Sequence, residues 1–339
     1  MDIRRVQMTG GSSYVLTLPK HWIQSLRIHK NDPLGVEVQD DGDLLITGNI
    51  TGEVVHRKKI IEIEPRVDPT SFFRTLVGVY IAGYNSIDIR SKDRIPSRIK
   101  KTIRDYSDQV IGLEPVEVSD TRVLLRDLFN PLEMPFENSM RRMYTITRGM
   151  HTDSVHALVS GDIAAAEDVV IRDRDVDRLF WLVARQTNMI LQNPRSGEKI
   201  HAPINEVLHY FQTARIIERV ADHAVLMAKS IMHIDRTQIT KETGAAIKAA
   251  SGEAAETFDK SITAFFTHDL KLANRIIESI RLREDIFHQL NTEILLLPTD
   301  PALSVRKISD SIRRIGEYST DIAEEVINYG VLQSEEILH

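Results

Sequence analysis

Two pairs of carboxylates stand four residues apart in otherwise unexceptional helical sequence. Glu218 and Asp222 fall in ARIIERVADHAVLMAK (214–229), and Asp173 and Asp177 fall in VVIRDRDVDRLF. On a helix an i, i+4 step stacks two side chains on one face, about 5–6 Å apart at Cβ. Like charges at that spacing repel by a few tenths of a kcal/mol, so something should favour them. Two such helices side by side would turn four oxygen donors toward a common patch. That donor set suits hard or borderline cations such as Mg²⁺, Ca²⁺, Mn²⁺ or iron. The competing reading is a solvated face of salt bridges, because Arg172 and Arg174 flank Asp173, Arg178 follows Asp177 and Arg219 follows Glu218. His223, about 100° round the helix from Asp222, is a poorer ligand.

The elements that would position these acids are amphipathic helices. Ala214, Ile217, Ala221, Ala224 and Ala228 step by three and four, an apolar seam beside Glu218 and Asp222. From about Glu133 onward nearly everything reads as helix, punctuated at Gly161, Pro194-Arg-Ser-Gly, Thr243-Gly244 and Pro298–Pro301. This part contains an internal repeat. VHALVSGDIAAAEDVVIRDRDVDRLF (155–180) aligns with ITAFFTHDLKLANRIIESIRLREDIF (262–287), keeping Ala157/Ala264, Asp162/Asp269, Ala166/Ala273, Arg174/Arg281 and Phe180/Phe287. Arg219-Val-Ala-Asp222 likewise aligns with Arg314-Ile-Gly-Glu317. Two copies of a three-helix unit are the simplest architecture. The second copy keeps Glu284 and Glu317 but has Ile280 for Asp173 and Arg313 for Glu218, so one cation site, in the first repeat, or none is expected.

Upstream the periodicity changes. In residues 1–48, RRVQM and SYVLTLP alternate around the turn GGSS, Pro19 opens the short helix PKHWIQSL, and DDGD turns GVEVQ into LLITG. A unit of this size is marginal alone and would borrow core from a partner chain, which predicts a homodimer. Residues 1–30 carry Arg4, Arg5, Lys20, Arg27 and Lys30 against one acid, Asp2, a local asymmetry that fits phosphate contacts with DNA. The alternative is a dimerisation module with a solvated basic face. In residues 49–132, the strands KKIIEIE and SIDIRS bracket the helix SFFRTLVGVYIAGY, a second helix runs from Ile95 to Tyr106, and a hairpin turned at Ser119-Asp120 closes a β-α-β-α-β-β layer. No constellation for chemistry stands out there; Lys100, Lys101 and Arg104 read as a solvated helix face.

Bulk properties narrow the function classes. The 339 residues carry a net charge of -6, which rules out a uniformly basic nucleic-acid coat. With no cysteine there is no disulfide, thiolate nucleophile or Cys-based zinc site. No apolar run follows the N-terminal arginines, and none reaches the roughly 18 residues of a membrane span, so the sequence predicts a cytoplasmic protein without membrane insertion.

Residues 1–48 resemble the AbrB/MazE/SpoVT family of small swapped-hairpin barrels on Arg4, Arg5, the Gly-Gly-Ser run ending at Ser12, Thr17-Leu18-Pro19-Lys20 and the acidic hairpin Asp40-Asp41-Gly42. Where that family often has Lys-Gly-Asp, this chain has Lys30-Asn31-Asp32. The resemblance implies dimerisation and DNA contacts from Arg4, Arg5, Ser12 and Lys20. The C-terminal 200 or so residues resemble the PhoU family: Ile217-Glu218-Arg219-Val220-Ala221-Asp222-His223-Ala224 is close to its Glu-Arg-Ile-Gly-Asp-His-Ala signature, and Asp173-x-x-x-Asp177 falls where its other motif does. This implies tandem three-helix bundles, a divalent or trivalent metal ion (iron, manganese, magnesium or zinc) on Asp173, Asp177, Glu218 and Asp222, and signalling with a phosphate transporter and a sensor kinase.

The expected fold class is multidomain α+β: a small N-terminal swapped-hairpin β-barrel (1–48), a small α/β middle layer (49–132) and an all-α pair of three-helix bundles (133–334). The expected function is a non-enzymatic, DNA-binding transcriptional regulator of phosphate or related oxyanion uptake. One alternative is an adaptor that docks on a transporter or kinase without touching DNA. The other is a carboxylate-bridged metalloenzyme, for which Glu206-x-x-His209 supplies one di-iron step and no second copy exists; His209 reads instead as an ordinary helix-surface histidine.

Overall fold

The computed structural model describes the chain except residues 1, 12, 39–41, 49–55, 65, 194–202 and 334–339, and leaves out the side chains of 236 and 280–283. Met1–Val55 form one unit and His56–His339 a second.

In the first unit β1 (Gln7–Thr9) pairs antiparallel with β2 (Ser13–Val15). Gly10 and Gly11 turn the hairpin at φ of 65° and 84°, a region open to glycine without a Cβ penalty. Pro19 caps α1 (Lys20–Ser25). Asn31 adopts φ 74° in the turn before β3 (Gly35–Val38), where the sequence substitutes Asn for Gly. β3 pairs with β4 (Leu44–Thr47) as a second hairpin. The two hairpins are separate two-stranded sheets, and no barrel closes among the described residues of one chain. No described residue of this unit is buried: Val6, Met8, Tyr14, Val36, Val38 and Leu44 are each more than half exposed. The strands are in place, but among the described residues their apolar faces stay largely exposed.

The second unit begins with the α/β layer. Its sheet has the order β5-β6-β8-β7, from β5 (Lys58–Glu62), β6 (Ser86–Arg90), β7 (Leu113–Val118) and β8 (Arg122–Asp127). β5 and β6 are parallel, which requires the crossover supplied by α2 (Pro69–Ile81); the other pairs are antiparallel. Asp68 starts α2 by accepting the Ser71 N–H at 2.8 Å. Ile87, Ile89, Val123 and Leu125 pack under α2 and α3 (Ser97–Gln109) through Leu76, Tyr80, Ile99 and Tyr106. On β6 Asp88 is fully covered, clamped by Lys58 (2.8 Å), Arg90 (2.7 Å) and Arg122 (2.7 Å), and these cations hold its carboxyl far below the usual range.

The helical part comprises α4 (Phe136–Ser160), α5 (Ile163–Gln192) and α6 (Ile204–Ile231), then α7 (Lys241–Thr267), α8 (Leu270–Glu278), α9 (Ile280–Leu295) and α10 (Thr299–Gln333). α4, α5 and α6 pack on one another, and so do α7, the α8–α9 pair and α10; α6 and α10 lie along each other and join the repeats. The repeat identities have structural causes. Asp162 and Asp269 are the N-caps of α5 and α8, accepting from Ala165 N (3.1 Å) and Leu272 N (2.9 Å). Just before each cap the chain turns left-handed, at Gly161 (φ 80°) and at His268 (φ 51°).

One expected break differs, and one interruption was not expected. Thr243-Gly244 lies in the first turn of α7, whose start is fixed by Thr240 accepting the Thr243 N–H at 3.0 Å. Glycine there is tolerated inside a helix, and the true interruption precedes it. The repeats also part at Ser279: α5 runs unbroken for 30 residues, whereas its counterpart is split into α8 and α9. Ser279 aligns with Arg172, one residue before the position where Asp173 is replaced by Ile280. The break at Pro298–Pro301 separates α9 from α10, while Pro194-Arg-Ser-Gly lies outside the described residues.

Candidate metal centre

α5 and α6 pack along each other, and the seam of Ala214, Ile217, Ala221, Ala224 and Ala228 is wholly buried. Beside it Asp173, Asp177 and Glu218 are half-buried, and Asp222 is exposed. The four acids feel one another. Asp177 is pushed up to about 7, first by burial and then by the charges of Asp173, Glu218 and Asp222. Burial likewise raises Asp173, with Asp222 adding to it, and raises Glu218, again with Asp222 adding. Asp222, the most exposed of the four, is raised by the partial shielding of its carboxyl, against the pull of His223, Arg215 and Lys229. A carboxylate raised by a like-charged neighbour and left without a cationic partner is one whose ionised form lacks a counter-charge.

Arg215 and Arg219 temper Glu218, and Arg215 tempers Asp222, but among the described residues no arginine pairs with an acid of this face. Arg172 is taken by Asp153 (2.5 Å) and Asp168 (2.8 Å), Arg219 lies 5.8 Å from the Tyr318 ring and Arg215 lies 5.6 Å from the Phe180 ring. Among the described residues none of the four acids makes an ion pair. The face-of-salt-bridges reading is therefore not what the side chains do. No three His, Asp or Glu side chains among the described residues are gathered closely enough to hold an ion as they stand. In chemistry the donor set fits a hard cation: four oxygen-bearing groups from two facing helices, destabilised by each other.

The second repeat offers a different environment. Glu284 and Glu317 line a cleft of about 690 Å³ together with His288, Arg313, Asp321 and Glu324. Glu317 is already held by Arg314 (2.8 Å) and Arg313 (3.4 Å). Arg313, which replaces Glu218, thus faces the acid that its own pair retains, Glu317.

Of the residues expected to face DNA, Arg5 and Lys20 are exposed, Arg4 is paired with Asp2 at 3.1 Å, and Ser12 lies outside the described residues, as do Asp40 and Asp41. His209 is not a surface histidine. It is buried between the Tyr329 ring (4.5 Å) and the Phe265 ring (4.6 Å), because α6 meets both α7 and α10 at this level. Neither ring nitrogen has a partner among the described residues, and burial pushes its pKa down to about 4. Sequence reasoning missed Arg185 on α5 altogether. Wholly buried, it donates to Tyr80 O (2.8 Å), Tyr84 O (2.9 Å) and Asp127 (2.6 Å), and lies 4.5 Å from the Tyr80 ring. Its only sequence signal is a cation inside an apolar stretch, LVARQTNMI.

The PhoU domain profile matches residues 140–231 and 247–326, the spans of the two three-helix repeats. The chain belongs to the PhoU family. A second profile, Antidote-toxin recognition MazE, bacterial antitoxin, matches residues 7–47, so a MazE-type segment precedes the PhoU domains. The chain is 22% identical over 173 residues to a phosphate-specific transport system accessory protein PhoU homolog of Xylella fastidiosa, covering 49% of this chain and 71% of that protein. It is 22% identical over 183 residues to a protein of the same description from Rhizobium meliloti, covering 52% and 76%. The crystal structure of PhoU from Pseudomonas aeruginosa matches with a TM-score of 0.51 at 15% identity, over 59% of this chain and 96% of that one, a likeness of fold. No helix among the described residues is long and apolar enough to cross a membrane.

Proposed function

We propose that this protein is a cytoplasmic, dimeric transcriptional regulator of phosphate or related oxyanion uptake, with a DNA-binding N-terminal head and a cation-responsive PhoU body. The observation that carries the reading is the head itself: a MazE-type unit with exposed apolar strand faces and exposed Arg5 and Lys20, joined to PhoU repeats. Apolar faces of this kind call for a second copy, and a dimer presents its basic residues twice, which suits a two-fold DNA site. The link to phosphate rests on relatives described as accessory proteins of phosphate-specific transport.

The residues that would hold a cation are Asp173 and Asp177 from α5 and Glu218 and Asp222 from α6. A bound ion would supply the positive charge that these four lack. Their own part is to keep a negative patch astride two helices, so that the packing of α5 on α6 depends on its neutralisation. Differential affinity of the cation or signal for two arrangements of the head is what a regulator requires.

A second reading is an adaptor that docks on transporter or kinase components, with the head serving dimerisation. It is favoured by the curated relatives, which are named as transport accessories, and by Arg4 being engaged with Asp2. Filter binding to genomic DNA fragments across 50–300 mM salt separates the two. A steep salt slope that flattens in Arg5→Ala/Lys20→Ala supports the regulator; the absence of DNA binding at any salt by a folded dimer supports the adaptor.

A further inference from the structure

α3 of the α/β layer and α5 of the first repeat enclose a polar cleft of about 350 Å³, inside the size range of small-molecule sites. α5 contributes Arg174 and Arg178, one turn apart; α3 contributes Lys101, Asp105 and Asp108. Lys101 is paired with Asp105 at 2.6 Å. Arg174 and Arg178 make no ion pair or hydrogen bond among the described residues, and the Arg178 Nε is buried with no partner there. We propose that this cleft binds the phosphoryl group of a small molecule on Arg174 and Arg178.

Two guanidinium forks about 5–6 Å apart at Cβ can grip one tetrahedral oxyanion from two sides, a geometry for which arginine is suited and lysine is not. The other lining groups indicate the rest of the ligand. Asp108 and Asp175 are carboxylates left over once Lys101 and Asp105 pair off, so the walls are balanced in charge. A phosphate monoester carrying hydroxyl or amine donors would complement both halves of such a wall. A free phosphate ion would use the arginines alone and be opposed by the aspartates. Arg174 and Arg178 alternate along α5 with Asp173 and Asp177, so the two sites share one helix yet use different side chains. The proposal stands whether or not the cation reading does.

The test is calorimetric titration of the full-length chain, kept in EDTA so that no metal can bridge phosphate to carboxylates. Three probes are used: adenosine monophosphate, inorganic phosphate and adenosine. Binding of either phosphate-bearing probe, no binding of adenosine, and an affinity loss of at least tenfold in Arg174→Gln/Arg178→Gln are expected. Arg174→Gln alone, at an exposed position, keeps the test open if the double variant does not fold. Asp108→Asn distinguishes the sources, weakening a monoester whose donors it accepts and tightening a free phosphate it repels. Failure of both phosphate-bearing probes, or unchanged affinity in folded arginine variants, overturns the proposal.

Discussion

Arg185 on α5 and Asp127 at the end of β8 form a 2.6 Å ion pair that solvent barely reaches, tying the helix that bears Asp173 and Asp177 to the α/β sheet. Burial pushes the Asp127 carboxyl up while Arg185 and the Asn85 amide, 3.0 Å away, pull it down. Removing one member of such a pair leaves an uncompensated charge, so Arg185→Ala should cost about 3–5 kcal/mol in denaturant unfolding. Arg185→Lys should recover only part, because an ammonium cannot reach Tyr80 O, Tyr84 O and Asp127 in one plane. A cost below about 1 kcal/mol would mean that the junction is held by packing alone.

The carboxylate face gives a pH dependence of definite sign. A carboxyl raised to about 7 is most comfortable protonated, so its contribution to stability is complete below pH 4 and is lost as pH rises through 7. In chelator the thermal midpoint should fall between pH 5 and pH 8, and Asp177→Asn should flatten that fall, gaining about 1 kcal/mol at pH 8. Added divalent cation should stabilise more at pH 8 than at pH 5, since binding displaces the Asp177 proton. Elemental analysis of protein purified without chelator, against Asp173→Ala/Asp222→Ala, identifies the ion; equal metal content would remove these acids as ligands.

His209 should contribute to acid sensitivity. Its folded pKa lies below the usual value, so its stabilising share is present above about 6.5 and is lost as pH falls toward 4, at most about 2–3 kcal/mol. His209→Phe keeps the ring stacked between Tyr329 and Phe265 and removes two nitrogens without partners. The variant should be about 1 kcal/mol more stable at pH 7 and less sensitive to acid, as followed by circular dichroism melts. Loss of stability at pH 7 would point to a hydrogen bond that the stacked geometry does not show.

Gly83 closes α2 at φ 82°, and a Cβ there would stand 2.8 Å from the Met189 Cγ on α5. Gly83→Ala should therefore cost about 1–3 kcal/mol through both strain and displacement of α5. Met189→Ala should relieve the second part only, which a double-mutant cycle would show as coupling.

What the sequence disclosed follows from how local each cause is. The α6 seam and the β-α-β-α-β-β order are written in neighbouring residues and stand as read, and the repeat identity Asp162/Asp269 gains its cause in the two N-caps. Thr243-Gly244 misled because glycine marks a break only when no cap upstream has started the helix. His209 misled because three helices converge on it, and only its own helix is visible in its surroundings in sequence. Arg185 was invisible because its three acceptors lie far upstream, at Tyr80, Tyr84 and Asp127.

The interruption at Ser279 has a mechanical consequence. An unbroken 30-residue helix is about 45 Å long and stiff, so a tilt imposed at Asp173 is carried along it to Arg185. The split counterpart can pivot at its joint and let the tilt die there. Duplication thus left one half of the body able to carry displacement and the other able to absorb it.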